Sequence, residues 1–229
     1  MGKNLLCAFL TLTITAVLPT ISRSQIEITE VDAAGSTAST GYAADWFELK
    51  NVGSSAVDIT GWKIDDNSSN FVSAAVSIRE ITSIAAGQSI VFIEGNTSGS
   101  TDASIDAAFT TAWFGANVPS GLVIGNYGGS GVGLSQTADA VNIFDSTGGV
   151  QAYVSFGASA LGGTFDNTAG INGVISTFSQ VGVNGAFTSA NGLEVGSPDG
   201  LTPTPEPSAL ALGGLGAAGL AMLRRRRNK

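Results

Sequence analysis

Apolar and polar side chains alternate repeatedly along the chain, which predicts short β-strands separated by turns rich in glycine, serine and asparagine. The clearest stretch, residues 45–64, reads D-W-F-E-L-K-N-V-G-S-S-A-V-D-I-T-G-W-K-I. In its first half Phe47 and Leu49 share one face of a strand, and Trp46 lies on the other face. A turn at Gly53 leads into a second apolar-polar run, so the stretch predicts the central hairpin of an all-β fold.

Trp62 falls out of phase in this hairpin. Strict alternation along the second strand would leave its indole in solvent, whereas a bulge at Gly61 reverses the phase and buries it. Burying an indole is favourable by a few kcal/mol on area grounds, so we expect the bulge.

The first strand is predicted over residues 25–31, with Ile26 and Ile28 directed inward. Glu30 falls on the same face, so its carboxylate needs a partner, either a hairpin lysine or backbone N–H groups. Further strands are predicted where alternation returns, over residues 76–84, 89–94, 140–144 and 150–156.

Residues 96–133 form a long stretch of serine, threonine and glycine without clear periodicity, which predicts a variable loop and the best candidate for a partner surface. Three aromatic residues in it, Trp113, Phe114 and Tyr127, are candidates for stacking on a sugar if they are exposed. The alternative is that these rings pack down over the core.

Composition supports the prediction of an all-β fold, because only 12% of residues are charged and 31 are glycine. Charge is distributed unevenly: residues 27–206 contain all eighteen acidic residues against three basic ones, a net charge of −15. Nucleic acid is therefore excluded as an expected partner, because phosphate contacts require clustered lysine and arginine.

The ordered blocks I-x-I-T-E-V, D-W-F-E-L-K-N, V-D-I-T-G-W-K-I, I-A-A-G-Q-S-I-V-F and A-D-A-V-N-I-F-D-S-T-G-G-V resemble the lamin-tail domain, and G-S-P-D-G closes the series. The blocks extend over nearly all of residues 25–200. The resemblance implies an immunoglobulin-like β-sandwich in a module that mediates contacts and has no catalytic centre. The stretch 96–133 departs from it as an apparent insertion.

The two ends of the chain predict export. Residues 1–24 have a lysine, an apolar run and a small-x-small ending, typical of a signal peptide cleaved before Gln25. Residues 201–229 combine a proline-rich linker, an apolar segment and an arginine cluster, typical of a transmembrane helix with a cytoplasmic stop-transfer signal. The alternatives are an uncleaved N-terminal anchor and a simple C-terminal tail anchor. The cluster consists of Arg224, Arg225, Arg226 and Arg227.

The order of these C-terminal parts resembles the PEP-CTERM sorting signal, with Pro205, Glu206 and Pro207 at the positions of its recognition motif. The resemblance implies processing by an exosortase-type membrane protease. It further implies passage through the inner membrane to the cell surface or extracellular matrix of a Gram-negative-type bacterium.

Catalytic chemistry has little support in this composition. Histidine is absent and the single cysteine lies in the leader, which removes His-dependent nucleophilic and zinc sites. Acid pairs at Asp65 and Asp66, or at Asp45 and Glu48, suit glycoside hydrolysis, but such pairs are expected by chance in an acidic chain. The loop 65–70 is rich in oxygen ligands but lacks EF-hand spacing, so a plain turn is favoured over calcium. We expect no enzyme activity, no metal and no cofactor.

The sequence thus predicts an exported, exosortase-sorted surface or matrix protein with a non-catalytic structural or adhesive domain. Its expected partners are the processing protease and, after delivery, exopolysaccharide or other surface proteins. The alternative is a carbohydrate-binding module for matrix polysaccharide.

Overall fold

The chain is described by a computed structural model over residues 25–36 and 40–200, and this part forms fourteen strands and one α-helix. The predicted leader and the C-terminal sorting segment lie outside the described residues. The first seven strands are β1 Ile26–Asp32, β2 Trp46–Asn51, β3 Val57–Asp58, β4 Lys63–Asp65, β5 Val76–Arg79, β6 Ser83–Ile84 and β7 Ser89–Gly95. After helix α1 Asp102–Phe114 come β8 Ile124–Gly128, β9 Asp139–Phe144, β10 Val150–Phe156, β11 Phe165–Asp166, β12 Gly173–Ile175, β13 Phe187–Thr188 and β14 Val195–Gly196.

Ten of these strands form one hydrogen-bonded series that folds over on itself, in the order β11-β1-β2-β7-β8-β5-β4-β9-β10-β12. The first sheet contains β11, β1, β2, β7 and β8; the second contains β4, β9, β10 and β12, and β5 pairs with both. Strand β1 packs against β10 across the interior. The architecture is therefore a two-layer β arrangement with a single helix, as the all-β prediction requires.

The core between the layers takes the apolar face of each alternating strand. Phe47 and Leu49 point into it from β2, as predicted, and Val141 and Ile143 do so from β9. The predicted strands 140–144 and 150–156 pair as a hairpin. Trp62 is also in the core, as expected.

The burial of Trp62 does not depend on a bulge in a continuing strand. Its backbone N–H donates to the Ile59 carbonyl at 3.1 Å, and Gly61 has a φ of 75°. This is a tight turn that needs the left-handed conformation available to glycine. The turn separates β3 from β4 and reorients the chain, so the indole enters the core by a change of direction.

The predicted hairpin of residues 45–64 is wrong. Strand β2 pairs with β1 on one side and β7 on the other, so neither edge is free for the following segment. Strand β3 pairs with β6 instead. The Asn51 side chain stabilises the pairing of β3 with β6, because its Nδ2 donates to the carbonyls of Ser55 and Ile84, each at 2.8 Å.

The stretch 96–133 is also more regular than predicted, because it contains α1 and β8. The helix lies over the outer face of the first sheet, where Phe109 and Trp113 pack against Trp46 of β2 and Ile93 of β7. Its apolar positions recur at helical spacing, which closes this face of the sheet to solvent.

Candidate functional site

The three predicted ligand-contact residues are buried. Trp113 and Tyr127 are 0% exposed and Phe114 is 1% exposed, so none of them offers a ring to a sugar. Trp113 and Phe114 belong to the helix that covers the first sheet, while Tyr127 lies in the core between the layers. The prediction of a stacking surface at these positions is therefore wrong, and the alternative of packing over the core is correct.

The rings around Trp113 form an edge-to-face cluster. Its centroid lies 5.8 Å from that of Trp46 and 5.7 Å from that of Phe187, at interplanar angles of 89° and 81°. Both indole N–H groups point at the Tyr42 hydroxyl, at 3.2 Å from Trp46 and 3.4 Å from Trp113. Such pairs contribute beyond their buried area, so the cluster fixes the helix to the sheet.

A layer of buried carboxyl groups lies beside this cluster, between the first sheet and the segment 159–200. Glu30 is 1% exposed and lies opposite Glu48 in the β1–β2 register. A bulge at Thr29 shifts that register, so Glu30 faces outward and Val31 takes the core position. The predicted inward orientation of Glu30 is therefore wrong, although its predicted need for a partner is correct.

The partners of Glu30 come from distant parts of the sequence, and no lysine is among those the structure shows. Its Oε1 accepts hydrogen bonds from Thr164 Oγ1 at 2.5 Å and from the Ser197 N–H at 2.8 Å, and Ser179 Oγ lies 3.3 Å away. Burial raises the pKa of Glu30 to about 8, and the neighbouring charge of Glu48 adds to the effect. The group is therefore a proton-holding contact between β1 and the last forty residues of the described chain.

A second contact of the same kind joins Asp32 to Glu194 through Tyr42. The Tyr42 hydroxyl donates to Glu194 Oε1 at 2.5 Å and lies 3.3 Å from Asp32 Oδ2. Burial, followed by the charge of Asp32, raises the pKa of Glu194. Burial raises the pKa of Asp32 as well. These three side chains are buried, so their hydrogen bonds hold the segments around residues 32, 42 and 194 together and are not accessible to a substrate.

Of the two acid pairs considered for glycoside hydrolysis, one is buried and the other accepts hydrogen bonds from the loop that follows β4. Asp45 and Glu48 are 1% and 3% exposed. Asp65 accepts hydrogen bonds from Ser68 Oγ at 2.7 Å and from the Asn70 N–H, and Asp66 accepts from the Ser68 N–H at 2.7 Å. Over residues 25–36 and 40–200, no cluster of three acidic, histidine or cysteine side chains could hold a metal ion.

The second sheet has a groove on its outer face. Its volume is about 710 Å³. Small side chains form its floor where Ala140 of β9 lies opposite Ser155 of β10, and Asn142 lies opposite Tyr153 one step further. The loop that carries Asn67 and Ser69 forms a wall. Sequence reasoning missed this groove, because nothing in β9 and β10 except the half-buried Tyr153 distinguishes them from ordinary sandwich strands.

Comparison with known families gives one match over the body of the chain. The profile of the Lamin Tail Domain family matches residues 19–158. The chain belongs to the lamin tail domain family. The two-layer arrangement with a single helix agrees with the immunoglobulin-like fold that this family implies. No curated protein matches the chain.

A second family model matches the chain after the lamin tail domain: the PEP-CTERM protein-sorting motif matches residues 203–227. This range includes Pro205, Glu206, Pro207 and the four arginines, all outside the described residues. The motif implies export, processing by an exosortase, and delivery to the cell surface in Gram-negative bacteria. In the part of the chain that the structure describes, no helix is long and apolar enough to span a bilayer.

Both ends of the described lamin tail domain emerge at one pole. Gln25 accepts a hydrogen bond from the Val52 N–H at 2.8 Å, at the end of β2. Gly200 lies beside Ser89, which pairs with Lys50 near the same end of that strand. Residues 25 and 200, the two ends of the described chain, thus lie at the same end of the first sheet.

Proposed function

We propose that this lamin tail domain is a non-catalytic contact module displayed on the cell surface or in the extracellular matrix. The observation that carries the proposal is the match of residues 203–227 to the protein-sorting motif, in which the Pro-Glu-Pro sequence precedes an apolar run and an arginine cluster. In this account residues 1–24 are a cleaved signal peptide and residues 25–200 are the working domain. Residues 201–229 are the sorting segment, held in the inner membrane until processing.

A contact role suits the chemistry of the domain. Its carboxyl groups are used to hold the chain together, as at Glu30 and Glu194, and the sequence has no histidine. A reaction requires polar groups that a substrate can reach, whereas these are enclosed. The domain therefore acts through its surface, as a structural or adhesive element.

The partners we propose are exopolysaccharide or other surface proteins. The net charge of −15 over residues 27–206 opposes binding to nucleic acid and to strongly anionic polymers, because like charges repel at close range. An uncharged polymer or a protein with a basic patch meets no such barrier.

The sorting step is tested by replacing Pro205, Glu206 and Pro207 with alanine in the full chain, expressed in a bacterium that has an exosortase. Wild-type protein is expected at the cell surface without its arginine cluster. The triple variant is expected in the inner membrane at full length, because the protease no longer recognises it. The measurement is immunoblotting of membrane and surface fractions with an antibody against the domain.

A matched control replaces Thr202 and Thr204, two linker residues outside the motif, with alanine. This variant is expected to reach the surface as the wild type does. Surface delivery of the Pro-Glu-Pro variant with unchanged processing would show that the motif is not the recognition element.

A further inference from the structure

The two outer faces of the sandwich differ in how they are covered. On the first sheet, α1 and the segment 159–200 pack over the outward-facing side chains, including Trp46 and Glu30. On the second sheet, the loop after β4 covers only part of the face, through the contact of Phe71 with Phe144 at 5.7 Å. The remaining surface is the groove along β9 and β10, which lies within the size range of ligand pockets.

The polar groups that shape this groove are held in place by hydrogen bonds. Asp139 accepts hydrogen bonds from the backbone N–H groups of Asn67, Ser135 and Ala140, at 3.0, 2.5 and 2.8 Å. Asn142 donates from Nδ2 to the Asp66 carbonyl at 2.6 Å. The one carboxylate in the lining, Asp139, is therefore buried and held by three backbone N–H groups, and no cluster of acidic side chains in the described part of the chain could hold a metal ion there.

Two hydroxyl groups in the groove remain available. Tyr153 and Ser155 are half-buried and lie on alternate positions of β10, both directed away from the core. Among the described residues, no side-chain hydrogen bond engages either hydroxyl, and Asn67 and Ser69 at the wall are exposed. The groove thus combines the half-buried Tyr153 ring with these uncharged donors and acceptors, on a floor kept low by Ala140.

We propose that this groove binds an uncharged oligosaccharide segment of a surface polysaccharide, with the Tyr153 ring stacked on a sugar and the Ser155 and Asn67 side chains bonded to its hydroxyl groups. The inference deepens the proposed contact function and relies on it only for the presence of such a polymer at the cell surface. A sugar face is apolar and its rim is rich in hydroxyl groups, which matches this lining. The groove follows β10 for six residue steps, roughly 20 Å, so a chain of several sugars fits along it.

Other classes of ligand fit the groove less well. A peptide that adds to a sheet needs a free strand edge, whereas β9 and β10 are hydrogen-bonded to neighbours on both sides. A phosphate or an anionic polymer needs arginine or lysine, and none lines the groove. An uncharged, hydroxyl-rich chain is the ligand that the lining favours.

The groove lies away from both ends of the described chain. Residues 25 and 200 lie at the end of the first sheet near Ser89, whereas the groove lies on the outer face of the second sheet. A polymer strand could therefore occupy the groove before and after the sorting segment is cleaved.

The test is isothermal titration calorimetry of the full chain in a zwitterionic detergent that has no sugar headgroup. The probes are cellohexaose, mannohexaose and chitohexaose, with hexagalacturonate as a charged comparison. Tryptophan fluorescence is unsuitable, because Trp46, Trp62 and Trp113 are buried away from the groove. At least one uncharged hexasaccharide is expected to bind saturably, and hexagalacturonate is expected to bind at least about tenfold more weakly.

Three variants locate the site. Tyr153→Ala is expected to weaken binding about tenfold or more, whereas Tyr153→Phe keeps the ring and most of the affinity. Ala138→Trp, at an exposed position of the lining, is expected to block the groove. Thr111→Ala, on the exposed side of α1, is the control that leaves binding unchanged.

Each variant is first shown by circular dichroism to melt at the wild-type temperature, so that a loss of binding is not a loss of fold. Failure of all three uncharged probes, or binding that is insensitive to Tyr153→Ala and Ala138→Trp, would overturn the proposal. Hexagalacturonate bound as tightly as the neutral probes would also overturn it. Surface delivery is measured separately, so a negative titration leaves the sorting account standing.

Discussion

At the scale of single residues, Glu30 shows how a buried carboxyl group can link distant segments of the chain through hydrogen bonds. A lone buried carboxylate is costly, and this one is tolerated because Thr164, Ser179 and Ser197 surround it and because it holds a proton. Its pKa of about 8 means that the folded chain binds this proton well above the usual value of 4.5. Stability from this group is therefore fully present below about pH 4.5 and is lost as the pH rises through about 8.

Glu30→Gln is expected to reduce the loss of stability between pH 5 and pH 9 by roughly 1–3 kcal/mol, because the amide keeps the shape and does not titrate. The measurement is the free energy of unfolding in urea at both pH values. Glu80→Gln, at an exposed position, is the control and is expected to follow the wild type. An equal pH dependence in Glu30→Gln and wild type would show that Glu30 is ionised in the folded chain.

At the scale of elements, α1 acts as a cover for the first sheet. Its sequence contains the signal that could have identified it, since alanine is frequent and Ile105, Phe109 and Trp113 recur every four residues. Of these residues, Trp113 is a candidate ligand contact only if the stretch 96–133 is a loop. Helical spacing over residues 102–114 instead places Phe109 and Trp113 on one buried face.

Trp113→Ala is expected to destabilise the fold by about 3–5 kcal/mol, because it leaves a cavity among Trp46, Phe109 and Phe187. Urea unfolding at pH 5, well below the pKa values of about 8 for Glu30 and about 9 for Glu194, provides the measurement. The matched helix variant Thr111→Ala, at an exposed site, is expected to change stability by less than about 0.5 kcal/mol. A small effect of Trp113→Ala would mean that the helix does not seal the sheet.

The strands show the limit of pattern reading. Alternation places Phe47 and Leu49 on the core face and Trp46 on the other, as the structure has them. It does not choose partners: alternation predicts that the segment after Asn51 pairs with β2, whereas in the structure it pairs with β6. Pairing depends on which edges are already occupied, and β1 and β7 occupy both edges of β2.

At the scale of the whole molecule, the segment 159–200 completes the fold beyond the range 19–158 matched by the family profile. It supplies β11 beside β1, β12 beside β10 and the hydroxyl groups around Glu30. The contacts with β1 and with Glu30 link residues more than a hundred positions apart, so no local sequence pattern reveals them. For the same reason neither the buried carboxyl layer nor the groove could be assembled from the sequence.

We therefore expect a fragment of residues 25–200 to unfold in one cooperative transition, and a fragment of residues 25–158 to lack such a transition. The shorter fragment leaves the edges of β1 and β10 unpaired and exposes the part of the outer face of the first sheet around Glu30. Urea titration followed by circular dichroism and tryptophan emission compares the two. A cooperative 25–158 fragment of equal stability would make residues 159–200 an appendage.

The measurement that tests the central claim most directly is the intact mass of the protein recovered from the surface of cells that possess an exosortase. An exported and sorted lamin tail domain is predicted to begin at Gln25 and to end near the Pro-Glu-Pro motif, without Arg224, Arg225, Arg226 and Arg227. Recovery of an intact chain, Met1 to Lys229, from the cytosol would contradict the account.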